Sequence, residues 1–264
     1  MPYSCPIPES LAAAATLLVA SDFDGTLAPL VARPEDACAR PGSVAALLQL
    51  GALPRTRVAI VTGRSLEDVR RRLEVADDWE LCGSHGAEIA GEPAPPIPPQ
   101  AAAELAQVTQ LLESIAAEHP GVIVEQKARG VALHYRALPQ DRSRQVVARA
   151  RALLDAAPSL HCRLGSKVIE FVADAATKAD ALGRLKKRTG SASTVFIGDD
   201  LTDEHAFAAL GPDDAGVKVG AGETIARYRV ADVAEVERLL HHLAHLRAEW
   251  VQRLADHSEG EFNS

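Results

Sequence analysis

The chain has 264 residues, of which 47% are hydrophobic and 24% charged, a balance that fits a soluble globular protein built as one large domain or as a core plus a smaller one. A formal net charge of −8 argues against nucleic acid as the main partner, because a phosphate backbone demands a basic surface. No apolar run approaches the ~20 residues that a membrane span needs. The four cysteines (Cys5, Cys38, Cys82, Cys162) are scattered without CxxC spacing, so neither a zinc site nor a disulfide framework is expected, and a reducing compartment is. The run Leu11-Ala12-Ala13-Ala14-Ala15 has no basic residue ahead of it and is not read as a signal peptide, so the expected location is cytoplasmic.

The first predicted strand, Leu17–Ser21, leads into Asp22-Phe23-Asp24-Gly25-Thr26. In an extended segment residues i and i+2 face the same way, so Asp22 and Asp24 can share one site while Phe23 turns into the core. A helix near Gly42–Leu50 follows, then a strand Val58–Val61, a helix near Leu66–Val75 and a short strand Trp79–Cys82. Ser65 and Asp68 form a candidate capping box. Thr62-Gly63-Arg64 sits where strand becomes helix; backbone N–H groups there suit an anion, although an ordinary capped helix start has the same pattern.

Glu92-Pro93-Ala94-Pro95-Pro96-Ile97-Pro98-Pro99 is a stiff connector. Beyond it the pattern predicts a helix (Ala101–Glu118), strands Gly121–Lys127 and Val131–Arg136, a helix (Arg142–Leu154), and strands Leu160–Leu164 and Lys167–Val172. Residues 89–174 are therefore expected to form an inserted α+β domain, with residues 1–88 and 175–264 as the main domain. If Arg129-Gly130 is the hairpin turn, Lys127 faces Ala132 and Glu125 faces His134. Glu125, Lys127, His134 and Arg136 then share one face, and Val122, Val124, Val131, Leu133 and Tyr135 the other. The polar face suits a polyhydroxylated ligand, or is simply solvated.

The alternation then resumes: helix Ala179–Arg188, strand Thr194–Ile197, helix Asp203–Leu210, strand Gly216–Val219 and a helix near Val233–Ala248, with a polar tail over 252–264 expected to fray. This predicts an α/β, Rossmann-like fold with a mostly parallel sheet, helices on both faces, and ligands beyond the carboxyl ends of the strands. The second acidic cluster, Gly198-Asp199-Asp200-Leu201-Thr202-Asp203-Glu204, follows a strand as the first does. So much negative charge at strand ends calls for a cation, and an all-oxygen donor set suits Mg²⁺. Lys178, in a first helical turn, opposes the helix dipole unless a carboxylate cluster or phosphate lies nearby; a solvated lysine is the alternative.

Asp22-Phe23-Asp24-Gly25-Thr26-Leu27, Thr62-Gly63-Arg64, Lys178 and Gly198-Asp199-Asp200 resemble, in order, the four motifs of haloacid-dehalogenase-type phosphotransferases. Gly83-Ser84-His85-Gly86, Glu125-x-Lys127, Leu133-His134-Tyr135-Arg136, Val168-Ile169-Glu170 and Asp199-Asp200-Leu201-Thr202-Asp203-Glu204 narrow the resemblance to trehalose-6-phosphate phosphatases. The resemblance implies that Asp22 is the nucleophile and Asp24 the general acid/base. It implies Mg²⁺ held by Asp22, the Asp24 carbonyl and Asp199, with Asp203 in support through water. Thr62, Gly63 and Lys178 would bind the phosphoryl group. His85 from the main domain and Glu125, Lys127, His134, Arg136 and Glu170 from an inserted cap would form the substrate side. The implied substrate is trehalose 6-phosphate, the implied state a monomer, with no nucleic acid or membrane partner. Two departures stand out: Phe171-Val172 replaces the basic residue and proline common after Glu170, and Ala179 replaces the usual glycine after Lys178. Other sugar phosphates, such as mannosyl- or glucosyl-3-phosphoglycerate, and a catalytically silent sensor are the alternative readings.

Overall fold

The computed structural model describes residues 7–73, 75–165 and 167–262; Cys5 lies outside them. A short helix α1 (Glu9–Ala12) leads into β1 (Leu17–Ser21), followed by α2 (Pro41–Ala52), β2 (Thr56–Val61), α3 (Leu66–Arg72), β3 (Glu80–Gly83) and a return strand β4 (Glu88–Ile89). Next come α4 (Pro99–Glu118), β5 (Ile123–Lys127), β6 (Gly130–His134), α5 (Gln140–Ala152), β7 (His161–Gly165) and β8 (Val168–Val172). The last part runs α6 (Lys178–Thr189), β9 (Ser193–Gly198), α7 (Leu201–Ala208), β10 (Ala215–Val219), β11 (Tyr228–Val230) and α8 (Val233–Phe262).

Seven strands form one sheet in the order β11-β10-β9-β1-β2-β3-β4, parallel except for the β3/β4 pair. This is the α/β, mostly parallel architecture expected from the alternation of strands and helices. β1 lies in the middle of the sheet and all five of its residues are buried, which is why Leu17–Ala20 run continuously apolar rather than alternating. Apolar clusters cover both faces: Leu17, Val19, Val58 and Ile60 pack with α2 and α8 residues such as Leu47 and Leu240, while Leu18, Ala59 and Phe196 pack with Leu182 and Leu185 of α6. Among the described residues no helix is long and apolar enough to cross a membrane.

The second sheet is antiparallel, in the order β5-β6-β8-β7. Val131, Leu133, Ile169 and Phe171 pack with Val108, Leu112 and Ile115 of α4 and Val146 of α5 in an apolar cluster of their own.

Several local readings need correction. The hairpin turn is Ala128-Arg129, with Lys127 opposite Gly130, Glu125 opposite Ala132 and Ile123 opposite His134. Gly130 belongs to the strand because it passes close to β8: a Cβ there would meet the Phe171 carbonyl oxygen at 2.7 Å. The slip is two residues, so the alternation survives and the polar and apolar faces are as the pattern predicts. β6 ends at His134, which leaves Arg136 beyond the strand. Ser65 does cap α3 by accepting from Asp68 N at 3.2 Å, but the Asp68 carboxylate turns to Arg64 and Arg72 instead of closing the box. The final helix continues to Phe262, past the point where fraying was expected, because Gln252-Arg253-Leu254-Ala255 are good helix formers extending an already docked helix.

Candidate active site

The carboxyl ends of β1 and β9 lie side by side, Ser21 opposite Ile197, and Asp22 N donates to Ile197 O at 2.9 Å. Asp22 and Asp199 therefore leave the sheet together. Gly25, at φ 77, turns the chain away, and a Cβ at this position would run into the Asp199 carboxylate. One oxygen from each of Asp22, Asp199 and Asp203 falls within 4.8 Å of the others.

The acids of this cluster and the neighbouring Asp200 differ in what already holds them. Asp203 is fully buried: its Oδ1 accepts from Lys178 Nζ at 2.7 Å, and its Oδ2 from the backbone N of Asp199 and Asp200 at 2.9 and 3.0 Å. It braces the loop and supports the cluster from behind. Asp200 is occupied in capping α7, accepting at Oδ1 from Thr202 N and Asp203 N. Asp22 meets Lys178 Nζ at 3.0 Å through Oδ2.

Lys178 is thus neither solvated nor idle; it is buried between two carboxylates. Burial alone would lower its pKa, but Asp203 and Asp22 outweigh burial and hold the ammonium well above the lysine range. Thr177 and Asp180 form a complete capping box that fixes the start of α6 and so the origin of this side chain.

One lysine does not balance the cluster. Burial pushes Asp22 well above the usual carboxylate range; Lys178 opposes this, and Asp203, Asp200 and Asp199 add to it. Burial, with Asp200 and Asp203, pushes Asp199 up to about 8, and burial pushes Asp203 up to about 6. A compact set of oxygen donors with surplus negative charge fits a hard divalent cation such as Mg²⁺.

Asp24 lines the same cavity but stands apart from the cluster. Its carboxylate receives Arg64 in a bidentate pair, Nε to Oδ2 and Nη2 to Oδ1, both at 2.7 Å. Arg64 also reaches Asp68 and the Pro34 carbonyl, and its guanidinium lies 5.3 Å from the Phe23 ring centre. Any part Asp24 takes in holding a metal thus falls to its backbone.

Across the cavity stands the second sheet. Lys127 Nζ meets Glu170 Oε1 at 2.6 Å, and the other Glu170 oxygen accepts from His85 Nε2 at 2.9 Å. Although burial raises the Glu170 pKa, Lys127 and His85 overcome it and keep the carboxylate ionised far below its ordinary range. Burial lowers the His85 pKa, so the ring is neutral with Nε2 as the donor. Ser84 and His85 both take positive φ, at 48° and 57°, and Gly63 leaves room for the imidazole: a Cβ there would sit 2.5 Å from Nε2. Glu125 accepts from His134 Nε2 at 2.7 Å along the diagonal of the corrected register. Arg136 reaches over to donate to the Val31 carbonyl at 2.9 Å.

Asp22, Asp24, Thr62, Gly63, Lys178 and Asp199 from the first sheet and its flanks, and Glu125, Lys127, His134, Arg136 and Glu170 from the second, line one cavity together with His85; Asp203 backs it. Such an arrangement brings a buried carboxylate, a cation and a metal-capable cluster to one point, with a polar sheet face opposite.

A trehalose-phosphatase family profile matches residues 20–234. The chain belongs to that family. It is 38% identical over 216 residues, 75% of its length, to the trehalose-phosphate phosphatase of Mycobacterium tuberculosis H37Rv. It spans 52% of that relative and 16% of a longer protein of the same organism matched at the same identity. Two solved structures share the fold. The C-terminal domain of Candida albicans trehalose-6-phosphate phosphatase covers 92% of this chain and is itself covered to 98%, with a TM-score of 0.77 at 20% identity. A trehalose-6-phosphate phosphatase related protein covers 88% and is covered to 99%, with a TM-score of 0.71 at 28% identity.

Beside these family motifs, sequence reasoning missed three cations at the site. Arg64 lies inside a quoted motif, but its pairing with Asp24, 40 residues away, has no signal in local spacing. Lys218 on β10 is buried and donates to the Asp199 carbonyl. Arg163 lies opposite Glu170 in the β7/β8 pair, whereas a two-residue turn between the predicted strands Leu160–Leu164 and Lys167–Val172 puts it opposite Val168, a slip of two residues that keeps it on the same face. Lys167, by contrast, sits 6.0 Å from the Tyr135 ring centre and does not line the cavity.

Proposed function

We propose that this chain is a Mg²⁺-dependent phosphatase that hydrolyses trehalose 6-phosphate to trehalose and phosphate, a step of trehalose biosynthesis, through an aspartyl-phosphate at Asp22. The observation that carries the reading is the placement of Asp22: buried, 3.0 Å from Lys178 and beside Asp199 and Asp203, on the floor of a cavity roofed by Glu125, Lys127 and Glu170. Residues 89–174 act as the cap that reads the sugar, and residues 1–88 and 175–264 as the phosphatase core.

In this reading Asp22 attacks phosphorus and the P–O bond to the sugar breaks. Asp24 delivers a proton to the departing sugar oxygen, then takes one from the water that attacks the aspartyl-phosphate and frees Asp22. Lys178 and Thr62, with the Gly63 backbone, hold phosphoryl oxygens, and Lys178 also offsets the charge of Asp22. Mg²⁺, held by Asp22, the Asp24 carbonyl and Asp199 with Asp203 behind, would supply Lewis-acid charge neutralisation. Glu125, Lys127, His134, Arg136, Glu170 and His85 supply donors and acceptors for disaccharide hydroxyls. The ion pairs among them keep that face organised before substrate arrives.

Phosphate release from a panel of sugar phosphates, with Mg²⁺ and with EDTA, tests the proposal. Trehalose 6-phosphate should be the best substrate and EDTA should abolish release. Preference for a glucosyl- or mannosyl-phosphoglycerate would overturn the substrate, and no turnover of any ester would overturn the enzyme reading.

A further inference from the structure

Arg163 belongs to none of the motifs, yet its side chain lines the same cavity as Asp22, Lys178 and Glu170. Opposite residues of an antiparallel pair project to the same face, so its position across from Glu170 puts it on the polar face of the second sheet. Nη2 donates to two backbone carbonyls, Asp174 at 3.1 Å and Ala176. Those carbonyls belong to the connector that runs from β8 to Lys178 at the start of α6.

The nearby carboxylates are already committed: Asp174 to Arg129 at 2.6 and 2.8 Å, and Glu170 to Lys127 and His85. Nη1 of Arg163 is buried with no hydrogen-bond partner. A guanidinium is a rigid planar fork of donors. With one edge fixed on the connector, the other is placed but unsatisfied, a costly state for a buried charged donor. A sugar oxygen seated against the polar face of the second sheet relieves that cost, and an aryl phosphate has no hydroxyl to offer there.

We propose that Arg163 is a specificity-determining residue whose Nη1 edge binds a sugar oxygen of the substrate while its Nη2 edge holds the 174–176 connector. The assignment rests on the sugar-phosphate reading above. One side chain thereby ties occupancy of the sugar site to the segment that delivers Lys178.

The test compares wild type, Arg163→Lys and Arg163→Gln on the best sugar phosphate of the panel and on p-nitrophenyl phosphate. Both variants keep a donor for the connector and lose the fork; thermal melts establish that each is folded. The kcat/KM for the sugar phosphate should fall about 10- to 100-fold while aryl phosphate turnover stays within about twofold. Parallel losses on both substrates, or an unchanged sugar phosphate rate, would overturn the role of Arg163. A wild type that prefers a sugar phosphate other than trehalose 6-phosphate removes the trehalose assignment but leaves the Arg163 comparison intact on that substrate. A wild type that handles no sugar phosphate better than the aryl ester sinks both.

Discussion

Lys178→Met replaces an ammonium lying 3.0 Å from Asp22 Oδ2 and 2.7 Å from Asp203 Oδ1, at 1% side-chain exposure, with an apolar chain of similar length. Methionine fills the space, so little packing is lost and the effect is electrostatic. Removing one partner of a buried ion pair typically costs about 3–5 kcal/mol, because the remaining charge stays buried. Asp22 is already pushed well above the carboxylate range and can take up a proton. The lower end, about 3 kcal/mol, is therefore expected, which for a chain of this size lowers Tm by about 6–12 °C. A double-mutant cycle with Asp203→Asn isolates the pair; the double variant should be more stable than additivity predicts by about 1–3 kcal/mol. Urea unfolding in EDTA near neutral pH, followed by circular dichroism, measures all four proteins, and phosphate release measures turnover. Turnover of Lys178→Met should fall by at least about 100-fold, the scale set by losing one preorganised charge at a reacting group. A Lys178→Met variant within about 0.5 kcal/mol of wild type, or an additive cycle, would refute the reasoning.

Three further outcomes follow from the same geometry. In metal-free protein Asp199, at about 8, and Asp203, at about 6, lie above the ordinary Asp value, so between roughly pH 4 and 8 the folded state holds more protons than the unfolded one and stability falls as pH rises. Melts in EDTA should give a lower Tm at pH 8 than at pH 6, with Mg²⁺ adding more at pH 8; a flat or reversed trend contradicts the cluster as described. Asp24→Asn should slow trehalose 6-phosphate hydrolysis at least about 100-fold but an aryl phosphate, with its good leaving group, far less; equal losses would remove Asp24 as the acid. Arg247→Met removes a fully buried guanidinium that donates to the carbonyls of Ala12, Ala14 and Arg55 and to the Thr56 hydroxyl; Arg55 O keeps Leu17 N and the Thr56 hydroxyl keeps Pro54 O, but the Ala12 and Ala14 carbonyls lose this donor. It should cost about 3–5 kcal/mol while leaving the turnover of folded protein unchanged, and a loss below about 1 kcal/mol would show that this clamp is not stabilising.

The strands that carry Asp22, Thr62 and Asp199 were legible because a buried parallel strand must be continuously apolar, and a run such as Leu17-Leu18-Val19-Ala20 has few other uses. The polar face of β5 and β6 was legible for the same kind of reason: alternation survives a two-residue error in register, though the partner of each residue does not. What stayed hidden are contacts between elements far apart in sequence. Arg64 on Asp24, Arg163 on the connector and Lys218 on the Asp199 carbonyl depend on tertiary placement, and nothing within a local window encodes it. Strands β4 and β11, two and three residues long, are too short to carry a period and are held at the sheet edges by their neighbours.

The central claim is that Asp22 carries the phosphoryl group between substrate and water, and trapping that group tests it most directly. Enzyme mixed with trehalose 6-phosphate labelled with ³²P and quenched in acid within one turnover should retain acid-stable, hydroxylamine-labile label, and peptide mapping should place it on Asp22. Asp22→Asn, folded by circular dichroism, should retain none and release no phosphate. Label on a residue other than Asp22, or an Asp22→Asn protein that still turns over trehalose 6-phosphate at a near-native rate, would contradict the account.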